Sequence, residues 1–343
     1  MSRAKIAVIG AGVNGLSCAV NIIENIPNAE VTVLADKFSP HTTGDVAAGV
    51  FGPRPLSFGH TDVSLQRSWF ESSLKHFESL LRTEYAGIIG LEYLTGYFLS
   101  HDPSKDMNKA LPWADLVYNA HLLSKKELDL FPGYKSGICF TTIVCDCRKY
   151  LPWLMDRFKR NGGKVVEKKV ERMGELNGHY DVIVNCTGIG AKQLVGDTSM
   201  QPGRGQAIRV SAPWIKNFIL TDTHPETYIL PGPYDVYLGG TFQVGNWNVE
   251  VDKIDKQTIQ EKCFQVVPSL KHAKFLHDWV GLRPVRPTVR LEKEIMNVGN
   301  AKLKVVHNYG HGAKGVAYSW GCSQQATRLV KEILSDSTQH SKL

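Results

Sequence analysis

The sequence predicts an α/β protein of two interleaved parts. One is a Rossmann-like dinucleotide-binding domain, the other an α+β domain built on a mainly antiparallel sheet. Three observations carry this. The chain opens on an apolar strand and a G-x-G-x-x-G turn, Lys5-Ile6-Ala7-Val8-Ile9-Gly10-Ala11-Gly12-Val13-Asn14-Gly15-Leu16. A second apolar strand over residues 180–186 ends in Thr187-Gly188 and returns the chain to the same sheet. Between Pro202 and Asn248 the alternation turns short and β-like, over residues 206–210, 227–230 and 236–240.

Each opening glycine has a physical task. Gly10 makes the tight turn, Gly12 lets backbone approach a pyrophosphate, and Gly15 lets helix and strand pack closely. The helix N-terminus adds free N–H groups and the positive end of the helix dipole. A second strand, residues 30–34, leads to Asp36, where the motif expects a ribose-binding carboxylate. Without that context, the same glycines would mean only a tight turn with no ligand.

The remaining elements follow in order. His41-Thr42-Thr43-Gly44-Asp45 offers hydroxyls beside the dinucleotide fold, or is a plain solvated loop. Val46-Ala47-Ala48-Gly49-Val50 is small and apolar, as suits backbone lying against a planar ring. Gly52-Pro53-Arg54-Pro55 breaks the pattern before an amphipathic helix over residues 62–82. Ser124, with Glu127 three residues on, starts a capped helix. A helix over 148–161 ends at Gly162-Gly163, and a strand over 164–170 follows. After a helix over 256–267, Arg283 and Arg286 stand among prolines in Gly281-Leu282-Arg283-Pro284-Val285-Arg286-Pro287. Arginine is mostly a surface residue, yet its fork matches a carboxylate two-pronged. A strand over 304–306 then leads into the glycine-rich turn His307-Asn308-Tyr309-Gly310-His311-Gly312-Ala313-Lys314-Gly315 and a helix over 316–334. The division expected is 1–50, 148–195 and 280–343 for the dinucleotide domain, with 51–147 and 196–279 for the substrate domain.

A chain of 343 residues suits two domains. Its net charge of +7 is spread rather than clustered, which speaks against nucleic acid, and no apolar run approaches a membrane span. The N-terminus enters a strand almost at once, so no signal peptide is expected. Seven cysteines lack zinc spacing and suggest a reduced, intracellular protein. Cys145 and Cys147 are expected to share one face of a strand as small buried hydrophobes. Ser341-Lys342-Leu343, after the polar stretch 335–340, matches the peroxisomal import tripeptide. It implies a matrix location and an import receptor as partner.

Together these stretches resemble one family, the flavin-dependent D-amino-acid oxidases and D-aspartate oxidases. The resemblance runs nearly end to end. It includes the glycine turn, Asp36-Lys37-Phe38, Thr42-Thr43, Asp45-Val46-Ala47-Ala48-Gly49 and Tyr150-Leu151-Pro152-Trp153-Leu154. It continues through Asn185-Cys186-Thr187-Gly188, Gly203-Arg204-Gly205-Gln206, Gly281-Leu282-Arg283-Pro284 and the signature His307-Asn308-Tyr309-Gly310-His311-Gly312. Ser323 departs from the family's usual alanine.

The resemblance implies non-covalent FAD. Its ADP part would lie at Gly10, Gly12, Val13, Gly15, Asp36 and Lys37, with Thr42 and Thr43 near the phosphates. Val170 would face the adenine. Gly49, Thr187, Gly188, His311, Gly312 and Gly315 would complete the site, the last three along the isoalloxazine. Lys314 and Ala317 stand where vertebrate D-amino-acid oxidases carry Tyr and Thr. Arg283 would clamp the substrate α-carboxylate with Tyr228 as hydroxyl partner. The implied reaction is hydride transfer from Cα to flavin N5, with O2 reduced to hydrogen peroxide and the imino acid hydrolysed to a 2-oxo acid and ammonia.

Acidic and neutral D-amino acids divide the family. The short segment 218–228 resembles the lid of D-aspartate oxidases. Arg54 stands where a guanidinium could pair with a side-chain carboxylate. Against this, Phe242 lies in a stretch that reads like the neutral branch, where mammalian D-aspartate oxidases carry arginine. The balance leans to acidic substrates on Arg54, with neutral D-amino acids as the alternative. More remote are an inactive cofactor-binding protein and an NAD-dependent dehydrogenase.

Overall fold

The computed structural model describes residues 3–56 and 59–340. Among these residues, fourteen strands form one continuous mixed sheet. In the first half of the chain they are β1 Lys5–Ile9, β2 Glu30–Ala35, β3 Leu91–Ser100, β4 Tyr118–Leu122, β5 Ser136–Cys145, β6 Lys164–Glu167 and β7 Val182–Asn185. Then come β8 Gln201–Ser211, β9 Phe218–Thr221, β10 Tyr228–Pro231, β11 Val236–Gly239, β12 Gln243–Val244, β13 Lys274–Val298 and β14 Ala301–His311. Five longer helices pack on them: α1 Val13–Asn25, α2 Val63–Leu81, α3 Cys147–Arg160, α4 Lys253–Val266 and α5 Gly315–His340.

The sheet has two characters. At one end β6, β2, β1, β7 and β14 run parallel. Here β1 and β7 are almost wholly buried apolar runs, as strands covered on both faces must be. At the other end, β4, β5, β3, β9, β10, β11 and β8 pair antiparallel apart from β3 with β9. This is the α/β sheet with a mainly antiparallel partner that the sequence predicts.

One strand joins the halves. The segment Lys274–Val285 of β13 pairs with β8, and Arg290–Val298 pairs with β14, with the register shifting between Val285 and Arg290. The proline-rich arginine segment is therefore strand: Pro284 sits opposite Pro202 in the ladder, and Pro287 falls within the register shift. The expected boundary at residue 280 falls inside this strand. The signature residues His307–His311 are also strand rather than turn, because β13 pairs along β14 as far as His311. The turn begins only at Gly312.

The helices follow their sequence signals closely. Asp62 caps α2 by accepting a hydrogen bond from Leu65 N (2.8 Å), and Gly162 follows α3 with φ of +84°. The buried face of α2 (Trp69, Phe70, Leu74 and Phe77) joins the core around α1, α3 and α5. That core belongs to the parallel end of the sheet, although residues 51–147 were expected with the other part. Cys145 ends β5 and Cys147 opens α3, with Asp146 as N-cap between them, so they do not share a strand face. All seven cysteines are free and buried. The strand expected to reach residue 170 ends at Glu167. The last helix continues through the stretch 335–340, and residues 341–343 lie outside the described residues.

Candidate active site

The β1–α1 turn has the geometry its glycines predict. Gly10 has φ of +106°, and a Cβ there would come within 2.6 Å of the Cys186 carbonyl oxygen. A Cβ on Gly15 would lie 2.0 Å from the Gly10 carbonyl oxygen, so helix and strand meet backbone to backbone. Gly12 differs: nothing stands within 4 Å of its missing Cβ, and it faces a cavity.

That cavity, of about 680 Å³, connects every other predicted site residue. Gly10, Gly12, Val13, Asp36, Lys37, Thr42, Thr43, Gly49 and Val170 line it, with Thr187, Gly188, His311, Gly312 and Gly315. Arg54, Tyr228 and Arg283 share the same wall. Gly15 alone is not on the wall, because its role is the contact with Gly10. Asp36 lies just past the end of β2 and is exposed.

Local hydrogen bonds fix Thr42 and Thr187. Thr42 donates from backbone N and from Oγ1 to Asp45 Oδ2 (2.9 and 2.7 Å), while Ser39 Oγ donates to Oδ1 (2.6 Å). The buried Asp45 carboxylate thus shapes this turn. Thr187 N and Oγ1 donate to Asn185 Oδ1 (3.2 and 2.7 Å). Asn185 Nδ2 in turn meets His307 Nδ1 at 3.2 Å, and His307 Nε2 meets Glu294 Oε2 at 3.0 Å. Burial, reinforced by Arg290, lowers the His307 pKa to about 4, so its ring is neutral near pH 7.

Arg283 and Tyr228 meet on the cavity wall. Arg283 donates from Nη1 to Thr241 O (3.2 Å) and from Nη2 to Tyr228 Oη (3.4 Å), and its guanidinium stands 5.6 Å from the Phe242 ring centroid. Glycines make room for both groups. A Cβ on Gly205 would lie 2.0 Å from Arg283 Nη1, and one on Gly240 would lie 2.2 Å from Tyr228 Oη. Tyr228 stacks on Tyr237 at 5.6 Å, and Tyr237 Oη donates to Val46 O (2.8 Å). Burial raises the Tyr228 phenol well above its usual pKa, so it remains an O–H donor.

Three charged groups share the remaining wall. Arg54 does face the cavity, and its Nη2 is paired with Glu226 Oε1. Lys314 donates from Nζ to Gly52 O (2.8 Å), and burial lowers its pKa to about 7. Sequence reasoning singled out Arg54 but missed Glu226 and the inward reach of Lys314. The only available signals were an acidic residue two before Tyr228 and a lysine within the glycine-rich loop.

The residues present fit a bound dinucleotide flavin. The glycine turn leaves space that a side chain would fill. His311 Nε2 is buried with no hydrogen-bond partner among the described residues, which calls for a polar ligand atom. Burial holds the His311 pKa at about 4, so the ring meets that ligand uncharged.

A strand–glycine turn–helix and a hydrogen-bonded Arg283–Tyr228 pair on one cavity are the features expected of a cofactor-dependent oxidoreductase. Residues 5–329 match the FAD dependent oxidoreductase family, and the chain belongs to that family, with FAD as its cofactor. It is 41% identical over 335 residues to human D-aspartate oxidase, covering 97% of this chain and 96% of that protein. It is 37% identical over 336 residues to a D-amino acid oxidase of Dugesia ryukyuensis, covering 96% and 98%. The crystal structure of glycine oxidase from Geobacillus kaustophilus superposes with a TM-score of 0.78 at 18% identity, covering 97% of this chain and 95% of that one. At that identity the structural likeness speaks to the fold alone.

Proposed function

We propose that the protein catalyses the oxidative deamination of D-amino acids to 2-oxo acids, ammonia and hydrogen peroxide, with acidic D-amino acids preferred. One observation carries this: a single cavity holds both the dinucleotide cradle and the Arg283–Tyr228 pair. FAD, when bound, supplies the acceptor for the Cα hydride and returns the electrons to O2. The chain's own residues bind and orient. Arg283 offers a two-pronged, charge-assisted contact to the α-carboxylate, and Tyr228 donates its O–H to the same group. Thr241 O fixes the guanidinium, so little rotamer freedom is lost when substrate arrives. Gly10, Gly12 and the start of α1 would hold the pyrophosphate, and Asp36 the ribose. Thr42 and Thr43 would lie along the phosphates.

Arg54 supports the acidic preference, because its guanidinium can take a side-chain carboxylate in a charge-assisted contact worth at most about 1.5–3 kcal/mol, less what the pair with Glu226 already supplies. Peroxide assays on purified protein test this directly. D-Aspartate should be oxidised faster than D-alanine, and Arg54→Ala should reverse the order. A wild-type preference for D-alanine would favour the neutral reading, which has one observation behind it: Glu226 already neutralises Arg54.

We also propose a peroxisomal location, supported by the terminal Ser341-Lys342-Leu343 and by the peroxide the reaction would release.

A further inference from the structure

Arg54 and Glu226 are 172 residues apart in sequence, yet both reach the same cavity wall and meet there. Glu226 lies two residues before the clamp tyrosine Tyr228, on the segment leading into β10. Arg54 comes from the loop after Phe51, where its backbone N–H donates to Gly52 O (2.8 Å). The Arg54 guanidinium stands 5.0 Å from the Phe98 ring centroid, which fixes its direction.

We propose that Glu226 is a specificity-determining residue, a built-in counter-ion that occupies Arg54 until the side-chain carboxylate of an acidic D-amino acid replaces it. This rests on the oxidase reading of the site. The Glu226 carboxylate and the side-chain carboxylate of D-aspartate present the same two oxygens to the same guanidinium, so they compete for one position. The pair is about one-third exposed, 30% and 32%, so it can open without leaving a fully buried charge unpaired.

Charge accounting allows the exchange. Besides Arg54 and Glu226, the cavity wall carries Lys314, Arg283, the Tyr228 and Tyr237 phenols and His224, two residues before Glu226. With a neutral D-amino acid, Arg283 pairs with the α-carboxylate and Arg54 remains with Glu226. With a diacid, Arg54 takes the second carboxylate and Glu226 is released. Lys314 is near enough to feel both Arg54 and Glu226 electrostatically, so the released carboxylate has a second cation to face. Exchanging one carboxylate for another gains little, which blunts the acidic preference and keeps neutral substrates competitive. The site is then a broad-specificity pocket whose acidic selectivity is held in check from within.

The test is steady-state peroxide kinetics on D-aspartate and D-alanine with flavin-loaded wild type, Glu226→Gln and Glu226→Ala. Both variants should raise the D-aspartate to D-alanine ratio of kcat/KM about tenfold, through a lower KM for D-aspartate with little change in kcat. Glu226→Asp, which keeps the carboxylate, should stay near the wild-type ratio. An unchanged or lower ratio in Glu226→Gln and Glu226→Ala overturns the proposal, as does a change confined to kcat. If flavin-loaded wild type oxidises neither substrate, the oxidase reading fails and the proposal fails with it. If it oxidises D-amino acids but the ratio does not move, only the role of Glu226 is lost.

Discussion

Lys314 is a half-buried ammonium on the cavity wall that donates to the Gly52 carbonyl. In the unfolded chain its proton is held to about pH 10.4. Burial, with a contribution from Arg54, lowers the folded value to about 7. At pH 6 both states carry the proton, and the folded state bears the full cost of burying charge. Between pH 7 and pH 10 the unfolded chain binds more protons, so stability rises with pH there. Lys314→Met should therefore raise the melting temperature by about 2–4 °C at pH 6, with the gain shrinking towards pH 10. Thermal melts across that range would show it, and an offset that is constant with pH would contradict the assignment. The sequence shows Lys314 inside a glycine-rich loop but not its burial, which depends on segments far away. Arg54 is similar. Its chemistry is legible from its type, while its pairing needs Glu226 to be carried in by another strand.

At the scale of elements, the β1–α1 turn separates two roles that one glycine motif combines. Gly15 serves the packing of helix on strand, whereas Gly12 borders open space in the cavity. Gly15→Ala should destabilise the protein by about 1–3 kcal/mol, because backbone must move to admit the methyl group. Gly12→Ala should leave the melting temperature of flavin-free protein nearly unchanged while weakening FAD binding. The flavin-to-protein absorbance ratio and melts of the stripped proteins distinguish the two, and equal destabilisation by both would refute the distinction. These elements were legible because strand, glycine spacing and helix are local patterns. The capped start at Ser124 was legible for the same reason. The strand character of β13 was not: its prolines argue against a strand, and only pairing with β8 on one side and β14 beyond the register shift overrides them. Likewise the signature His307–His311 looked like a turn because its glycines dominate the local pattern, although β13 holds it in the sheet as far as His311.

For the whole molecule, one sheet runs from a parallel end to a mainly antiparallel end, and residues of both line the cavity. That continuity brings the cradle made by residues 10–15 within one cavity of Arg283 and Tyr228. The proposed destination is likewise a property of the full chain. A fluorescent fusion ending in the native Ser341-Lys342-Leu343 should coincide with a catalase marker, and deletion of those three residues should disperse it. Dispersed signal from the intact fusion would remove the peroxisomal assignment. The sequence by itself determined the glycine turn, most helices, the free cysteines and, through resemblance, the family. Each is a local pattern, or a chemistry carried by residue type. Only the tertiary structure decided what surrounds those residues: that Arg54 faces the cavity already paired with Glu226, that Lys314 reaches the same wall, and that Gly205 and Gly240 make room for Arg283 and Tyr228. Those facts depend on contacts between segments far apart in the chain, and no spacing along the sequence encodes which of them will meet.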